Sequence, residues 1–398
     1  MESIYNKYIE QLESIRGNNL LRSLKTVSSR NGTFIVFNNK KCLNLSSNDY
    51  LGLATNTELA REFYSGLARD NIIEEYGLGA SSSRLLCGNI NLYEKLEQRI
   101  CRIYESEAAL VFNSGYHANI GIIPALAEKG DLILSDSLNH ASIVDGIRLS
   151  KAAYKIYRHN DVNHLAGILE KYRNRYERAI IVTESVFSMD GDLSDLKKLV
   201  CVKTKFNALL YVDEAHSAGV YGENGAGLCV QNNVSKQVDI ILGTFGKALA
   251  SHGAYAVTNN IIKDVLVNKM RSLLYTTALP PVVLSWNLFI MGKMQSLQNH
   301  RKRLQDLSEQ FRNSLQDKNL HFIGKSHIIP IVTYDNKTAL ALAGKLFDKG
   351  FLTFPIRWPT VPSGNSRIRI TLSSNINFDD IKDIARIISC EAKTKQDH

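Results

Sequence analysis

The sequence has no apolar run long enough to span a bilayer. Its first residues also lack the apolar core of a signal peptide and the Arg/Ser bias of a transit peptide. We therefore expect a cytoplasmic protein. Internal repeats and low-complexity tracts are absent as well. With 44% hydrophobic and 22% charged residues among 398, the composition is that of a globular chain with two or three domains.

The cysteines show no Cys-x-x-Cys spacing, so the sequence indicates neither a zinc site nor a redox pair. We expect reduced thiols in the core or near the surface, and no metal. The six cysteines are Cys42, Cys87, Cys101, Cys201, Cys229 and Cys390.

The formal net charge of +9 raises the question of nucleic-acid binding. However, the basic residues are dispersed, and the densest cluster, residues 300–303, opens a helix-like stretch with Leu304, Leu307 and Phe311. A solvated helix face explains this cluster better than a binding surface does. The basic balance equally suits small anionic ligands.

Apolar strand runs alternate with helical periodicity along most of the chain, which predicts an α/β fold with a mainly parallel sheet covered on both faces. We expect an N-terminal arm and hairpin (1–45), a large domain (46–279) and a smaller C-terminal α+β domain (280–398). The arm is expected to be helical to about residue 28, with a hairpin formed by residues 33–37 and 42–45. The predicted strands of the large domain are 109–112, 132–134, 179–183, 209–212, 239–242 and 254–257.

Two of these runs end in ionisable groups. Residues 209–212 are followed by Asp213 and His216, and residues 239–242 are followed by Thr244 and Lys247. The carboxyl ends of neighbouring parallel strands form one ligand crevice, so these four side chains are expected to converge. Taken singly, Asp213 could merely cap a turn and Lys247 could be a solvated loop lysine. The presence of both segments, in this order, argues against these two alternatives.

The four groups suit pyridoxal phosphate. Lys247 can form a Schiff base with the cofactor aldehyde, and the Asp213 carboxylate can keep the pyridine nitrogen protonated. Thr244 can bind the phosphate, and His216 can reach the phenolic oxygen of the ring.

Three further segments follow predicted strands at the same edge. Gly115 precedes a helical run whose free N–H groups could hold the phosphate, although a glycine in this position is usually only a turn. His140 could stack on the pyridine ring, or it could simply precede a helix capped by Ser142. Ser188 could donate a hydrogen bond to the cofactor, whereas the residues after it are typical of a turn.

Three arginines outside the large domain suit a substrate carboxylate, because a guanidinium can bind it with two hydrogen bonds. They are Arg22, Arg367 and Arg369. A surface position is the ordinary alternative for each of them.

In these segments the chain resembles the α-oxoamine synthases, pyridoxal-phosphate enzymes of the aspartate-aminotransferase fold type. The resemblance implies fold type I, with a mainly parallel seven-stranded sheet in the large domain. The matching segments occur in the family's order and cover most of the chain: 45–53, 83–89, 113–119, 139–142, 184–191, 213–216, 244–247 and 275–277.

The resemblance implies a catalytic set of Lys247, His140 and Asp213, with Lys247 as the Schiff-base lysine and His140 as the stacking residue. It further implies a homodimer in which two threonines reach the phosphate of the neighbouring subunit. The implied cofactor contacts are Gly115, Tyr116, Ser188, Asp213, His216, Thr244, Lys247, Thr276 and Thr277.

Within the family, residues 355–369 resemble most the enzymes that join L-alanine to a pimeloyl thioester in biotin synthesis. The comparable segment in those enzymes carries Arg-Pro-Pro-Thr-Val-Pro, whereas this chain has Trp358 in place of the first proline. That change puts the local loop shape in doubt and leaves Thr360 in place. The substrate contacts implied by the resemblance are Arg22, Asn48, His140, Thr360 and Arg367.

The implied reaction is a decarboxylative condensation of an amino acid with an acyl thioester of coenzyme A or acyl carrier protein. The family alternatives are glycine C-acetyltransferase, serine palmitoyltransferase and 5-aminolevulinate synthase. A catalytically silent homologue and a nucleic-acid binder are the alternatives from other classes. The joint presence of Lys247, Asp213 and His216 argues against the silent homologue.

Overall fold

The structure is a computed structural model that describes residues 4–18, 20–358 and 360–393. The chain divides into two compact units. The large unit is Asn48–Asp306, and the small unit combines Met1–Ser47 with Leu307–His398. Pro359, which belongs to the C-terminal substrate motif, lies outside the described residues.

The strands follow the predicted runs closely in the middle of the chain. They are β1 Val27–Asn31, β2 Phe34–Phe37, β3 Lys40–Asn44, β4 Ala108–Phe112, β5 Leu132–Asp136, β6 Ala153–Tyr157, β7 Ala179–Glu184, β8 Leu209–Asp213, β9 Ile240–Thr244, β10 Ala254–Thr258, β11 Ile328–Tyr334, β12 Phe351–Leu352, β13 Pro355–Ile356 and β14 Ser366–Thr371.

Most of the α-helices lie between the strands in sequence. They are α1 Asn6–Gly17, α2 Thr57–Ser65, α3 Asn91–Tyr104, α4 Gly115–Leu126, α5 Ala141–Leu149, α6 Val162–Tyr172, α7 Leu196–Lys205, α8 Leu228–Gln231, α9 Asn260–Lys269, α10 Arg271–Leu274, α11 Pro281–Lys293, α12 Gln298–Gln316, α13 Asn336–Asp348, α14 Phe378–Ile381 and α15 Ile384–Lys393.

The large unit is built on a seven-stranded sheet with the order β4-β10-β9-β8-β7-β5-β6. Strand β10 pairs antiparallel with both β4 and β9, and the pairs from β9 to β6 are parallel. Every residue of β4, β5, β7, β9 and β10 is buried, and in β8 only the first residue, Leu209, is partly exposed. This burial follows from apolar runs with helices on both faces, and it confirms the predicted mainly parallel sheet.

The core of the large unit lies between this sheet and helices α4, α5 and α9. Ile122 of α4, Ile143 of α5 and Leu266 of α9 are fully buried in one cluster with Val182 and Leu242 of the sheet. This packing fixes the start of α4 and the start of α5 beside the carboxyl ends of the strands.

The small unit contains two sheets, with the orders β1-β2-β3-β12 and β11-β14-β13. Strands β2 and β3 pair antiparallel through Phe34↔Leu43 and Ile35↔Cys42, which confirms the predicted hairpin. Phe37 packs its ring edge-on against Phe347 at 5.7 Å between centroids. The hairpin therefore shares a hydrophobic cluster with the C-terminal part of the chain.

Three features differ from the sequence predictions. The first helix ends at Gly17 rather than near residue 28, and β1 begins at Val27. Strand β6 was not predicted, because its positions alternate between partly buried and exposed at the sheet edge. The boundary expected near residue 280 lies instead between Asp306 and Leu307, since α11 packs on α3 in the large unit.

Candidate active site

Four parallel strands of the large unit end in polar side chains at one edge of the sheet. Strands β5, β7, β8 and β9 end at Asp136, Glu184, Asp213 and Thr244. Glu184 is the register partner of Asp213 across β7 and β8. The carboxyl edge of the sheet thus gathers the residues that the strand pattern placed there.

Asp213 is buried, with 6% of its surface exposed. Its Oδ2 accepts a hydrogen bond from Asn119 Nδ2 at 2.9 Å, and its Oδ1 accepts one from the Ala215 N–H at 2.9 Å. These two hydrogen bonds fix the orientation of the carboxylate. The site therefore holds a fixed acceptor suited to a protonated ring nitrogen.

Lys247 lies in the loop after β9 and contacts His216. Lys247 Nζ is 2.8 Å from His216 Nε2, and His216 Nδ1 is 2.5 Å from the hydroxyl of Tyr50. The Tyr50 hydroxyl in turn donates to Asn48 Oδ1 at 3.1 Å, which leaves its oxygen to accept from His216 Nδ1. In this arrangement Lys247 donates to the unprotonated Nε2.

Thr244 is the last residue of β9, and α4 begins after β4, which lies two strands from β9 in the sheet order. The Thr244 hydroxyl donates to the Gly253 carbonyl at 3.0 Å and accepts from the Gly246 N–H at 3.2 Å. At Gly115, the first residue of α4, a Cβ would meet no atom within 4 Å. Open space before a helix N-terminus suits an anionic group such as phosphate.

The remaining predicted cofactor contacts occupy the same unit. Tyr116 is exposed and donates to Asp145 Oδ2 at 2.6 Å. Ser188 is buried in the loop after β7. Asn113 Nδ2 donates to the Thr277 carbonyl at 2.7 Å and lies 3.5 Å from Thr276 Oγ1, so these threonines lie near the start of α4 of their own chain. Their predicted contact with a neighbouring subunit stays a prediction.

His140 caps α5 itself, which corrects the expectation that Ser142 is the cap. Its Nδ1 accepts from the Ser142 N–H at 3.2 Å, and its own N–H donates to Glu184 Oε1 at 2.6 Å. Burial and the nearby Asp213 raise the pKa of Glu184 well above its ordinary value, while Lys247 and the His140 N–H oppose this rise. Part of the His140 surface is exposed, while its Nδ1 lies in a partly buried hydrogen bond with Ser142.

In the small unit, Arg22 and Thr360 meet. Arg22 Nη2 donates to Thr360 Oγ1 at 3.0 Å, and both residues are exposed. They line a cavity of about 1230 Å³ that is largely apolar and is bordered by Arg16 and Arg357. Trp358, which replaces the usual proline, also lines this cavity. An apolar cavity with guanidinium groups suits a chain-like acid.

Arg367 and Arg369 do not line this cavity. Arg367 is buried in β14, where its Nε donates to the Asn365 carbonyl at 3.0 Å. Arg369 Nη1 donates to Thr371 Oγ1 at 3.0 Å. The structure therefore brings Arg22 and Thr360 together and places Arg367 apart from them, while Arg357 lines the cavity in its stead.

Sequence reasoning assigned no active-site role to four residues that form hydrogen bonds there: Asn119, Ser142, Glu184 and Tyr50. Asn119 and Glu184 lie inside the family motifs, so their positions were available from the sequence. Their partners were not, because Asn119 meets Asp213 only when α4 packs on the sheet.

Among the residues that the structure describes, no group of three or more His, Cys, Asp or Glu side chains could hold a metal ion. In the same part of the chain, no helix is long and apolar enough to cross a membrane.

Comparisons with known proteins agree with this geometry. Residues 40–388 match the family described as aminotransferase class I and II. The chain is 45% identical to the 8-amino-7-oxononanoate synthase of Chlorobaculum parvum, over 94% of this chain and 95% of that protein. A Francisella tularensis structure named 8-amino-7-oxononanoate synthase is 31% identical, with a TM-score of 0.76 over 89% of this chain and 99% of that one.

The fold also matches a serine palmitoyltransferase variant from S. paucimobilis, solved with a bound adduct of PLP and myriocin. The TM-score is 0.89 at 25% identity, and 100% of each chain is covered.

Proposed function

Because this chain belongs to the α-oxoamine synthases within the class I and II aminotransferase family, we propose that it performs the 8-amino-7-oxononanoate synthase reaction. In this reaction L-alanine condenses with a pimeloyl thioester, and carbon dioxide and the thiol leave. The enzyme is a pyridoxal-phosphate-dependent acyltransferase of biotin synthesis. The observation that carries the proposal is the meeting of Lys247 with His216 at the sheet edge that holds the buried Asp213.

The residues present fit pyridoxal phosphate. Asp213 is a buried carboxylate that is already held by two hydrogen bonds, as a partner for a pyridinium nitrogen must be. Lys247 supplies an amine for the aldehyde, and His216 supplies a ring nitrogen beside it. The open space before α4 at Gly115 suits the phosphate.

When bound, pyridoxal phosphate supplies a ring that accepts the electrons released when bonds at the amino-acid α-carbon break. The chain's own residues bind and orient the substrate and transfer its protons. Lys247 Nζ is the general base that takes the α-proton of alanine, and its hydrogen bond to His216 Nε2 orients the amine. Asp213 keeps a proton on the ring nitrogen, and His140 binds the substrate carboxylate and later the keto oxygen.

The small unit supports an acyl donor that ends in a carboxylate. Its cavity is apolar enough for a methylene chain and carries Arg16, Arg22 and Arg357 at its border. Arg22 bonds Thr360, which would hold the guanidinium in one orientation toward the acid. Asn48 and Arg367 remain proposed substrate contacts.

Serine palmitoyltransferase is the second candidate, because its backbone superposes better than that of the Francisella enzyme. Its TM-score is 0.89 against 0.76. Backbone similarity reports the shared fold, whereas identity reports the side chains that choose substrates. The identities are 45% and 31% for the two 8-amino-7-oxononanoate synthases and 25% for the palmitoyltransferase, so they favour the pimeloyl substrate.

We also propose a homodimer that shares its active sites. A contiguous stretch of the large unit exposes Ile73, Leu78 and Leu86 by 71%, 88% and 78%, and Tyr275 beside Thr276 is 70% exposed. Exposed apolar side chains at this density indicate an interface. Sedimentation velocity is expected to give twice the 44.6 kDa chain mass, and a monomer at micromolar concentration would contradict the dimer.

The net charge of +9 suits an anionic donor, either coenzyme A or acyl carrier protein, in the cytoplasm. A steady-state assay tests the function by pairing each of L-alanine, glycine and L-serine with pimeloyl, acetyl and palmitoyl thioesters. Alanine with pimeloyl thioester is expected to give the highest kcat/KM. A preference for glycine with acetyl-CoA, or for serine with palmitoyl-CoA, would overturn the assignment.

A further inference from the structure

Asn119 of α4 is the centre of a buried hydrogen-bond network beside the active-site edge. Its Nδ2 donates to Asp213 Oδ2 at 2.9 Å and to Ser142 Oγ at 2.9 Å. Its Oδ1 accepts from the Tyr211 hydroxyl at 2.6 Å. Asn119, Ser142 and Tyr211 are each 1% exposed. Water therefore cannot replace any partner that is lost.

The chemistry of the partners fixes the direction of these bonds. An ionised Asp213 can only accept, so the amide must turn its nitrogen toward it. The flipped amide would place its oxygen against the Asp213 carboxylate. Tyr211 donates its single hydrogen to the oxygen of the unflipped amide, so both neighbours favour the same orientation. Asn119 thus holds the Asp213 carboxylate in one orientation.

The same chain of bonds continues to His140. Ser142 Oγ accepts from Asn119, and its one hydrogen is left for His140 Nδ1, which lies 2.7 Å away. The Ser142 N–H also points to His140 Nδ1, at 3.2 Å. A ring nitrogen that faces two donors carries no proton itself. The proton of the neutral imidazole is therefore on Nε2.

The charged groups around His140 come from four elements. Burial lowers the pKa of His140, Asp213 raises it, Lys247 lowers it and Asp145 of α5 raises it, with a net lowering. Glu184, at the end of β7, accepts from the backbone N–H of His140. A neutral imidazole at pH 7 follows from this balance.

We propose that Asn119 is a positioning residue that links Asp213 to His140 through Ser142, so that the Asp213 carboxylate keeps its orientation and His140 stays neutral with its proton on Nε2. In this state His140 can donate from Nε2 but has no free ring lone pair with which to accept a proton. Proton abstraction then falls to Lys247 Nζ. The inference rests on the proposed function only for its consequence in catalysis.

The test is NMR of the full-length protein with isotope-labelled histidine imidazoles, recorded with and without pyridoxal phosphate, with the His140 signals assigned from a His140→Gln variant. The wild type is expected to show the Nε2–H tautomer of His140 at pH 7.5 in both samples. Ser142→Ala removes the hydroxyl donor to Nδ1, so the His140 pKa is expected to rise. Ser150→Ala, at the other end of α5, removes a hydroxyl that bonds only the Ile147 carbonyl and is expected to change nothing.

A second variant covers the case in which Ser142→Ala does not fold. Tyr211→Phe keeps the buried ring and removes the donor to Asn119, so the dissociation constant for pyridoxal phosphate is expected to rise about tenfold. An Nδ1–H or charged His140 in the wild type, or an unchanged dissociation constant in Tyr211→Phe, would overturn the proposal. An inactive protein with the expected spectra would reject the proposed reaction and leave the network standing.

Discussion

The active-site edge of the large unit and the cavity of the small unit are built in opposite ways. At the edge, Asp213 and Glu184 are buried at 6% and 3% exposure, and their partners are fixed side chains and backbone groups. In the cavity, Arg22 and Thr360 are exposed and bond each other. Buried polar groups tolerate little change because an unmade hydrogen bond there is costly, whereas exposed groups adapt at low cost.

This contrast separates the residues that hold the cofactor from the residues that select the acyl donor. The buried edge carries Asp213, His216 and Thr244, which we propose as cofactor contacts. The exposed cavity carries Trp358, the position where this chain departs from the Arg-Pro-Pro-Thr-Val-Pro segment of the enzymes that it resembles. Substitutions at the edge should therefore abolish turnover, and substitutions in the cavity should change which acyl donor is used.

The largest effect is expected from Asp213→Asn. This change keeps the shape of the side chain and removes the charge that holds a proton on the cofactor ring. We expect kcat to fall about a thousandfold, which corresponds to about 4 kcal/mol in the activation barrier. Steady-state kinetics at saturating pyridoxal phosphate measure it.

Asp161→Asn is the matched control, because Asp161 caps α6 through the His164 N–H and lies outside the site. Its kcat is expected to stay within about twofold of the wild type. An Asp213→Asn enzyme with the wild-type kcat would show that turnover does not depend on the Asp213 carboxylate.

An intermediate effect is expected from Arg22→Ala. Loss of the guanidinium should raise KM for the pimeloyl thioester about thirtyfold, or about 2 kcal/mol, with kcat and the KM for alanine nearly unchanged. Arg30→Ala, an exposed arginine of β1 that does not line the cavity, serves as the control. An equal rise in both KM values would remove the distinction between edge and cavity.

The smallest effect on turnover is expected at His159, whose contribution is to the stability of the fold. Its Nδ1 lies 2.8 Å from Asp136 Oδ1, and its Nε2 lies 2.6 Å from Asp192 Oδ2. The Phe187 ring meets it edge-on at 4.4 Å. Through Asp192 and Asp136, His159 connects the loop that carries Ser188 to the end of β5. Burial lowers the pKa of His159, but the hydrogen bonds to the two carboxylates outweigh it and raise the pKa to about 10.

A raised pKa in the folded state stabilises the fold fully below the unfolded value of about 6.5, and this contribution is lost as pH rises through about 10. His159→Gln is therefore expected to cost about 2 kcal/mol of unfolding free energy at pH 6 and much less at pH 10. Denaturant unfolding at both pH values measures the difference. His321→Gln is the control, since His321 is exposed and bonds the neutral Tyr334 hydroxyl. A cost that does not change with pH would contradict a charged His159.

The sequence predicted the edge better than the cavity, for a physical reason. Strands that are buried on both faces are continuous apolar runs, and their ends mark where Asp213 and Thr244 lie. Strand β6 is the last strand in the sheet order; it lacks such a run and was not predicted. The sequence also did not show that β10 is antiparallel to its neighbours, because a buried antiparallel strand has the same continuous apolar run as a parallel one.

The hydrogen-bond partners of the site residues could be identified only from the tertiary structure. Asn119 and Asp213 are far apart in sequence, and only the packing of α4 on the sheet brings them to 2.9 Å. Arg22 and Thr360 belong to opposite ends of the chain and meet in the small unit. Arg367 pairs with Ile356 between β13 and β14 and is buried, and the sequence pattern alone did not show this burial.

The central claim is that the amine at position 247 carries the cofactor. The protein should be loaded with pyridoxal phosphate, reduced with sodium borohydride, digested and mapped by mass spectrometry, with Lys247→Ala treated in parallel. The account predicts a phosphopyridoxyl group on the peptide that contains Lys247 and none in the variant. A label on another lysine with Lys247 unmodified, or retained turnover in Lys247→Ala, would contradict it.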